Sequence, residues 1–235
     1  MRATEPIGSI GAAFYFHPDT LAAGKAAGLD GFRFYALGRG GVLGDVEAGV
    51  VHAAFGYFHT GLIDKIWNGA KQVMAPRDGA RLYFECAHQL GRAKFSEIDG
   101  LDGFVGAATQ IIDAVEGASM PLFAGVRAEP VPDDAPAAAM HQAVVLRGLR
   151  GSVHLLALTA CGVSTPVAHS IKRPGDVAMF GYDEVPEVTD DDRANWHRAE
   201  QLTDDLLAPA YAGLTEAQAV ALVNGVAMMA HALDL

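Results

Sequence analysis

The sequence predicts a mainly α-helical fold made of two tandem copies of one helical module. Apolar residues recur at helical spacing along most of the chain. They make up 51% of it against 19% charged residues, enough to build a buried core. In addition, the segment 147–163, RGLRGSVHLLALTACGV, resembles the earlier segment 28–42, GLDGFRFYALGRGGV. A Gly-Tyr pair and then a tryptophan follow each copy: Gly56-Tyr57 with Trp67, and Gly181-Tyr182 with Trp196.

The boundary between the modules is predicted near Pro130. The chain has 235 residues, room for two modules of about 100 residues each. The segment 120–139, MPLFAGVRAEPVPDDAPAAA, carries four prolines and is typical of a linker. We therefore expect a first helical module with its linker over residues 1–130 and a second over 131–235.

Helices of the first module follow from local signals. Pro18-Asp19-Thr20 is a predicted helix start, with Thr20 or Asp19 as the cap of a short helix over residues 21–27 that stops at Gly28. The glycine-rich run 38–44, GRGGVLG, matches neither the Walker spacing nor the dinucleotide-binding spacing of phosphate-binding loops. We interpret it as a tight turn between helices. Further helices are predicted over residues 45–58, 62–74, 78–94 and 105–115.

The second module shows stronger start signals. A helix is predicted over residues 137–149, followed by an apolar segment 154–159. Ser164-Thr165-Pro166 places proline at a first helical position. Thr189 or Asp190 caps a helix over 192–207, and Thr215 caps the last helix. The predicted buried stripe of that last helix is Ala219, Leu222, Val223, Val226 and Met229.

Charge and cysteine use limit the possible partners. The formal net charge of −11 opposes attraction to nucleic-acid phosphates and to anionic membranes. Cys86 and Cys161 lie in different modules and in apolar contexts, which favours reduced thiols in the cytoplasm. No signal peptide is predicted, and no apolar run approaches the roughly 18 residues of a membrane span. We expect a cytoplasmic protein without a membrane partner.

Several short motifs carry a resemblance to a known family. They are Phe14-Tyr15-Phe16 before Pro18, Phe34-Tyr35-Ala36 with Gly38-Arg39, the cluster 55–58, Arg147-Gly148 with His154, and Ala157-Leu158 with Gly162-Val163. On these motifs the chain resembles an actinobacterial family whose members are described as helix-turn-helix-fold proteins. The resemblance implies two tandem helix-turn-helix, winged-helix-like units, and it implies no known reaction.

A small-molecule pocket between the modules is the first functional hypothesis. Dense aromatic residues beside isolated polar groups are typical of such sites. An arginine such as Arg39 or Arg147 is costly to bury alone, so it should meet a carboxylate of the protein or an anionic ligand. The candidate ligand-binding residues are Tyr35, Arg39, His52, Phe55, Tyr57, His59, Arg147 and His154. For His154 a core histidine bonded to backbone is the alternative.

Two other classes of function stay open. One is a small-metabolite enzyme that uses a histidine as proton donor or acceptor, or as a metal or haem ligand. The sequence has no His-Glu-x-x-His or Cys-x-x-Cys, so we predict no metal site and leave the cofactor unknown. His52 and His59 would share a face if one helix covered both. The other class is a DNA-binding transcriptional regulator, whose second-module helix offers His169, Ser170, Lys172 and Arg173.

The last helix also bears on assembly. Its segment 225–235, GVAMMAHALDL, is apolar over a wider surface than packing inside one small module requires. This pattern favours a homodimer. The alternative is that the helix packs against the first module of the same chain.

Overall fold

The computed structural model describes residues 4–235, with side chains from Pro6 onward, and this part of the chain is helical with no β-strand. The prediction of a mainly α fold is confirmed. The strands that form the wing of a winged helix have no counterpart within residues 4–235. The helices are α1 (Thr4–Ile10), α2 (Pro18–Ala26), α3 (Gly31–Gly40), α4 (Ala48–Phe55), α5 (Thr60–Lys71), α6 (Pro76–Phe95), α7 (Leu101–Asp113), α8 (Pro121–Arg127), α9 (Ala135–Ala160), α10 (Thr165–Lys172), α11 (Asp190–Ala212) and α12 (Glu216–Ala232). Short 3-10 helices cover Gly41–Leu43 and Pro174–Phe180.

Helix α9 is the centre of the fold, packing against α1, α6, α7, α8 and α11. Its N-terminus is capped by Asp134, whose carboxylate accepts a hydrogen bond from the Ala137 N–H at 3.1 Å. We predicted a helix over 137–149 and a separate segment 154–159, but one continuous helix covers both. Gly148 and Gly151 do not interrupt it, because the apolar face on either side of them is buried against neighbouring helices.

The core has two parts. A large cluster of buried side chains runs from Ile7 to Met229 and includes residues on both sides of Pro130. A smaller cluster joins the C-terminal half of α9 to α10 and α11, and it consists of Ala157, Leu158, Val163, Ala168 and Ala199. Whether residues 1–130 and 131–235 fold as separate domains stays a prediction.

The internal repeat is not confirmed. In the first copy, Gly28 has φ +84° and Asp30 caps a new helix, α3, by accepting from the Arg33 N–H at 2.9 Å. The residues aligned with this break, from Arg147 onward, lie inside α9. Similar apolar spacing is therefore compatible with an interrupted helix in one copy and a continuous helix in the other.

The glycine-rich run serves close packing between helices as well as a turn. A Cβ at Gly38 would overlap the Tyr83 ring, and one at Gly41 would overlap the Pro76 carbonyl. Gly44, with φ +84°, then reverses the chain in a conformation that glycine adopts without strain. The glycines thus let α3 and the following 3-10 helix lie directly against α6.

The proline-rich stretch is a linker over only part of its length. Residues 121–127 form α8, with Pro121 in its first turn. Leu122 and Phe123 are buried against the large core, which explains why this segment is helical. Only residues 128–134 connect α8 to α9 without helix.

Helix α12 packs against α7, α1 and α6 of the same chain. Leu222, Val226 and Met229 of the predicted stripe are buried, whereas Val223 lies to one side of them and is 55% exposed. Val220 and Met228 are also exposed, so an apolar face of α12 lies at the surface. The homodimer stays a prediction.

One described helix, α9, is long and apolar enough to cross a membrane by length and composition, whereas no apolar run of that length was predicted from the sequence. Of the apolar 18-residue stretch of α9 that meets these criteria, 56% is buried inside the folded chain. The central helix of a compact bundle has the same properties.

Candidate functional site

A cavity of about 690 Å³ lies where the large core meets the smaller cluster. Helices α1, α3, α9, α10 and α11 contribute to its wall, together with the end of α4 and Phe180 of the 3-10 helix. Its volume falls within the range of about 300–1,000 Å³ found for small-molecule sites. Its lining combines aromatic rings with charged side chains.

Six of the eight predicted site residues line this cavity: Tyr35, Arg39, Phe55, Tyr57, Arg147 and His154. His52 and His59 are not part of its lining. They do not share one helix, because α4 ends at Phe55 and Gly56 has φ +80°. His59 instead caps α5, where its Nδ1 accepts a hydrogen bond from the Gly61 N–H at 3.2 Å.

Arg39 projects from the last turn of α3 into an aromatic environment. Its Nη1 donates a hydrogen bond to the Tyr35 hydroxyl at 2.7 Å. Its guanidinium lies 4.4 Å from the centre of the Phe55 ring, a cation–π contact. Among the side chains described from Pro6 onward, no carboxylate forms an ion pair with Arg39.

Arg147 is held in a similar way on α9. Its Nη1 donates to the Gly8 carbonyl at 2.6 Å and its Nε donates to the Tyr15 hydroxyl at 3.2 Å. A carboxylate of the protein was one of the two partners expected for each arginine. Among the described side chains, the two guanidinium groups instead contact phenol oxygens, a backbone carbonyl and aromatic ring faces.

The two arginines change the acidity of the neighbouring phenols. Burial alone raises the pKa of Tyr15, but the charges of Arg147 and Arg39 outweigh it, so this pKa lies below its ordinary value. Burial raises the pKa of Tyr35 in spite of Arg39. Tyr15 was not among the predicted ligand-binding residues, although it belongs to the motif 14–16 that carried the family resemblance.

A second polar group in the cavity surrounds His154. Its Nδ1 lies 2.9 Å from the Thr203 hydroxyl, which itself donates to the Ala199 carbonyl at 2.7 Å. The Thr203 hydroxyl accepts from Nδ1 in the tautomer that carries the ring proton there. Its Nε2 lies 3.5 Å from a Glu200 carboxylate oxygen, and Arg150 donates to the other oxygen at 2.7 Å. Nε2 thus faces the Glu200 carboxylate at the cavity wall.

Burial lowers the pKa of His154, and the negative charge of Glu200 opposes this shift. The ring therefore favours the neutral form near neutral pH. Sequence reasoning did not select Arg150 or Glu200. Arg147, Arg150, Gly151 and His154 are spaced i, i+3, i+4 and i+7, which is one face of a continuous helix. This spacing could have identified Arg150 as a site residue from the sequence, because it places Arg150 on the same helix face as Arg147 and His154.

The lining is positively charged. Five basic side chains line the cavity, against two acidic ones. The basic residues are Arg39, Arg147, Arg150, Lys172 and Arg173, and the acidic residues are Glu200 and Asp204. The whole chain has 17 basic and 28 acidic residues, so the cavity has the opposite charge balance to the protein. Among the described residues, no three His, Cys, Asp or Glu side chains converge as metal ligands would.

Comparison with family profiles gives one assignment. The profile of a helix-turn-helix family matches residues 1–179, more than half of the chain. The chain belongs to this helix-turn-helix family. The match covers α1 to α10 and bears neither on the organism nor on a tandem repeat. Comparisons with curated proteins and with solved structures found no match.

Within this helix-turn-helix protein, α4 and α5 are joined by the four-residue turn 56–59, the spacing of a helix-turn-helix. The first turn of α5 is partly covered. The His59 N–H donates to the Phe180 carbonyl at 2.8 Å, and Gly181 lies against Leu62. On α10, His169 and Ser170 are buried, which leaves Lys172 and Arg173 as the exposed basic residues at the end of this helix.

Proposed function

We propose that this helix-turn-helix family protein binds a small molecule in the cavity between α3, α9 and α11. The observation that carries the proposal is a single space of about 690 Å³ that collects aromatic walls and polar groups from distant parts of the chain. Tyr35, Phe55 and Phe58 supply apolar surface. Arg39, Arg147 and His154 supply directional hydrogen-bonding groups, as a ligand site needs.

A variant that fills the cavity tests this function. Gly151 lines the cavity, and a Cβ at this position meets no heavy atom within 4 Å. Gly151→Phe is therefore expected to fold normally, since glycine is also a poor helix former. A thermal-shift screen of aromatic and acyl metabolites is expected to find compounds that stabilise the wild type. A compound present at a concentration of a hundred times its Kd stabilises the folded protein by about 2.7 kcal/mol. Gly151→Phe is expected to lose that stabilisation.

Gly106→Phe is the matched control. Gly106 lies on the exposed face of α7, its Cβ also meets no heavy atom within 4 Å, and it does not line the cavity. This variant should respond to the same compounds as the wild type. Equal responses of both variants would place the binding elsewhere, and a screen without any stabilising compound would count against ligand binding.

DNA binding is the second candidate, and membership of the family favours it. A recognition helix needs exposed Arg, Lys, Asn or Gln near its N-terminus. The start of α5 offers the capping residue His59 and then Thr60 and Gly61, and the chain carries a net charge of −11. We therefore expect no salt-dependent retention on a DNA column at low ionic strength. Lys65 is an exposed lysine of α5. Retention that falls with salt and is lost in Lys65→Ala would favour a DNA-binding regulator instead.

A cytoplasmic location is also part of the proposal. Both cysteines are free in the structure, in keeping with that location. The exposed apolar residues Val220, Val223 and Met228 on α12 offer a surface for a homodimer. The cavity supports a small molecule as the partner.

A further inference from the structure

We propose that the ligand is an organic anion, an oxyacid such as a carboxylate with an apolar or aromatic body, and that Arg39 and Arg147 bind its charged group. This inference rests on the proposed function and names the chemical class of the ligand. Its starting point is that two arginines line one cavity without a carboxylate partner among the side chains described from Pro6 onward.

The hydrogen bonds of the two arginines leave donors for a ligand. A guanidinium has five N–H donors in a planar fork. Arg39 uses one on Tyr35, and Arg147 uses two on Tyr15 and Gly8. These bonds and the ring faces orient both groups without cancelling their charge. A carboxylate matches the fork with two parallel hydrogen bonds, which makes arginine suited to this task.

The remaining lining supports the same sign of charge. Arg150 is paired with Glu200 at 2.7 Å, so these two largely neutralise each other. Lys172 and Arg173 then add positive charge, and Asp204 is the acidic lining residue that remains. A cation entering this cavity would meet several like charges, whereas an anion gains from each of them.

The walls define the rest of the ligand. Phe55 and Phe58 pack beside Tyr35, and Phe180 stacks on Phe58 at a ring separation of 4.4 Å. Such surfaces favour a flat apolar group over a heavily hydrated one. Free inorganic phosphate would leave this surface empty, and it is therefore a poorer occupant than an organic acid.

A matched pair of fluorescent probes tests the inference. The anionic probe is 8-anilinonaphthalene-1-sulfonate, and the neutral one is N-phenyl-1-naphthylamine, which lacks the sulfonate but has the same rings. We expect the anionic probe to bind the full-length protein at least about tenfold more tightly. Arg39→Gln is expected to remove most of that ratio, and Arg39→Lys to retain part of it. Arg81→Gln, on the exposed face of α6, should leave it unchanged.

Two further measurements use the wild type alone, so a variant that fails to fold does not end the test. The affinity ratio should decrease with rising salt, because screening weakens the charge contribution. Indole-3-propionate should displace the anionic probe, whereas indole-3-propionamide and inorganic phosphate at the same concentration should not.

The possible failures are distinguishable. Equal binding of both probes, unaffected by salt and by Arg39→Gln, would overturn the anionic ligand while leaving a ligand-binding cavity. Displacement by inorganic phosphate as efficient as by the indole acid would overturn the apolar body. Binding of both probes that persists in Gly151→Phe, or no binding at all, would overturn the cavity as a binding site and this inference with it.

Discussion

Replacing Trp67 with alanine is expected to lower the free energy of unfolding by about 3–5 kcal/mol, the loss typical of a large aromatic side chain removed from a core. Trp67 is completely buried on α5. Its Nε1 donates to the partly buried Val46 carbonyl at 2.9 Å, so the variant also loses this hydrogen bond. Urea denaturation followed by circular dichroism gives the difference directly.

Trp196→Ala is the control for this prediction. The repeat predicted from sequence pairs Trp196 with Trp67, but Trp196 is only partly buried and lines the cavity. Its replacement is expected to cost no more than about 1–2 kcal/mol in stability. It should weaken probe binding instead, because an aromatic wall is lost. Similar destabilisation by the two substitutions would contradict this assignment of separate roles.

Helix starts were predictable because their signals are local. Thr189 and Thr215 both form capping boxes, in which the threonine side chain accepts from the backbone of Asp192 and Gln218 respectively. The start at Ser164-Thr165-Pro166 is also found, with α10 beginning at Thr165. In each case, the residues that decide the structure lie within four positions of one another.

The continuity of α9 and the pairing of distant groups were not predictable in the same way. Gly148 and Gly151 favour a break locally, and burial of the flanking faces outweighs that preference. Glu200 reaches Arg150 and His154 from a helix 50 and 46 residues away in the chain. No periodicity marks such a pair. The aromatic and arginine candidates were found because an unusual residue type in an apolar context is visible without the fold.

Acid sensitivity is the second large effect expected, and it centres on a buried histidine pair outside the cavity. His141 on α9 is fully buried, and its Nδ1 lies 3.1 Å from Nε2 of His88 on α6. Burial, and then the charge of His88, lower the pKa of His141 to about 3. Burial also lowers the pKa of His88, with Glu85 opposing and Arg92 adding to the shift.

The sign of the effect follows from these directions. In the unfolded chain both histidines titrate near pH 6.5, so below that pH the unfolded state binds more protons than the folded state. The stability contributed by the neutral pair is therefore complete above pH 6.5 and is lost as the pH falls toward 3. Each proton excluded by the fold costs up to about 1.4 kcal/mol per pH unit. We expect the urea midpoint to fall steeply between pH 6.5 and 4.

His141→Gln separates this pair from the other acid-sensitive groups. Glutamine keeps a hydrogen-bonding group beside His88 and does not titrate, so the variant should lose stability at neutral pH and show a shallower decline below pH 6.5. His231→Gln, at an exposed position on α12, should decline as steeply as the wild type. A decline in His141→Gln as steep as in the wild type would assign the acid sensitivity to other buried histidines. His154 and His169 would then be the candidates, since burial lowers the pKa of each.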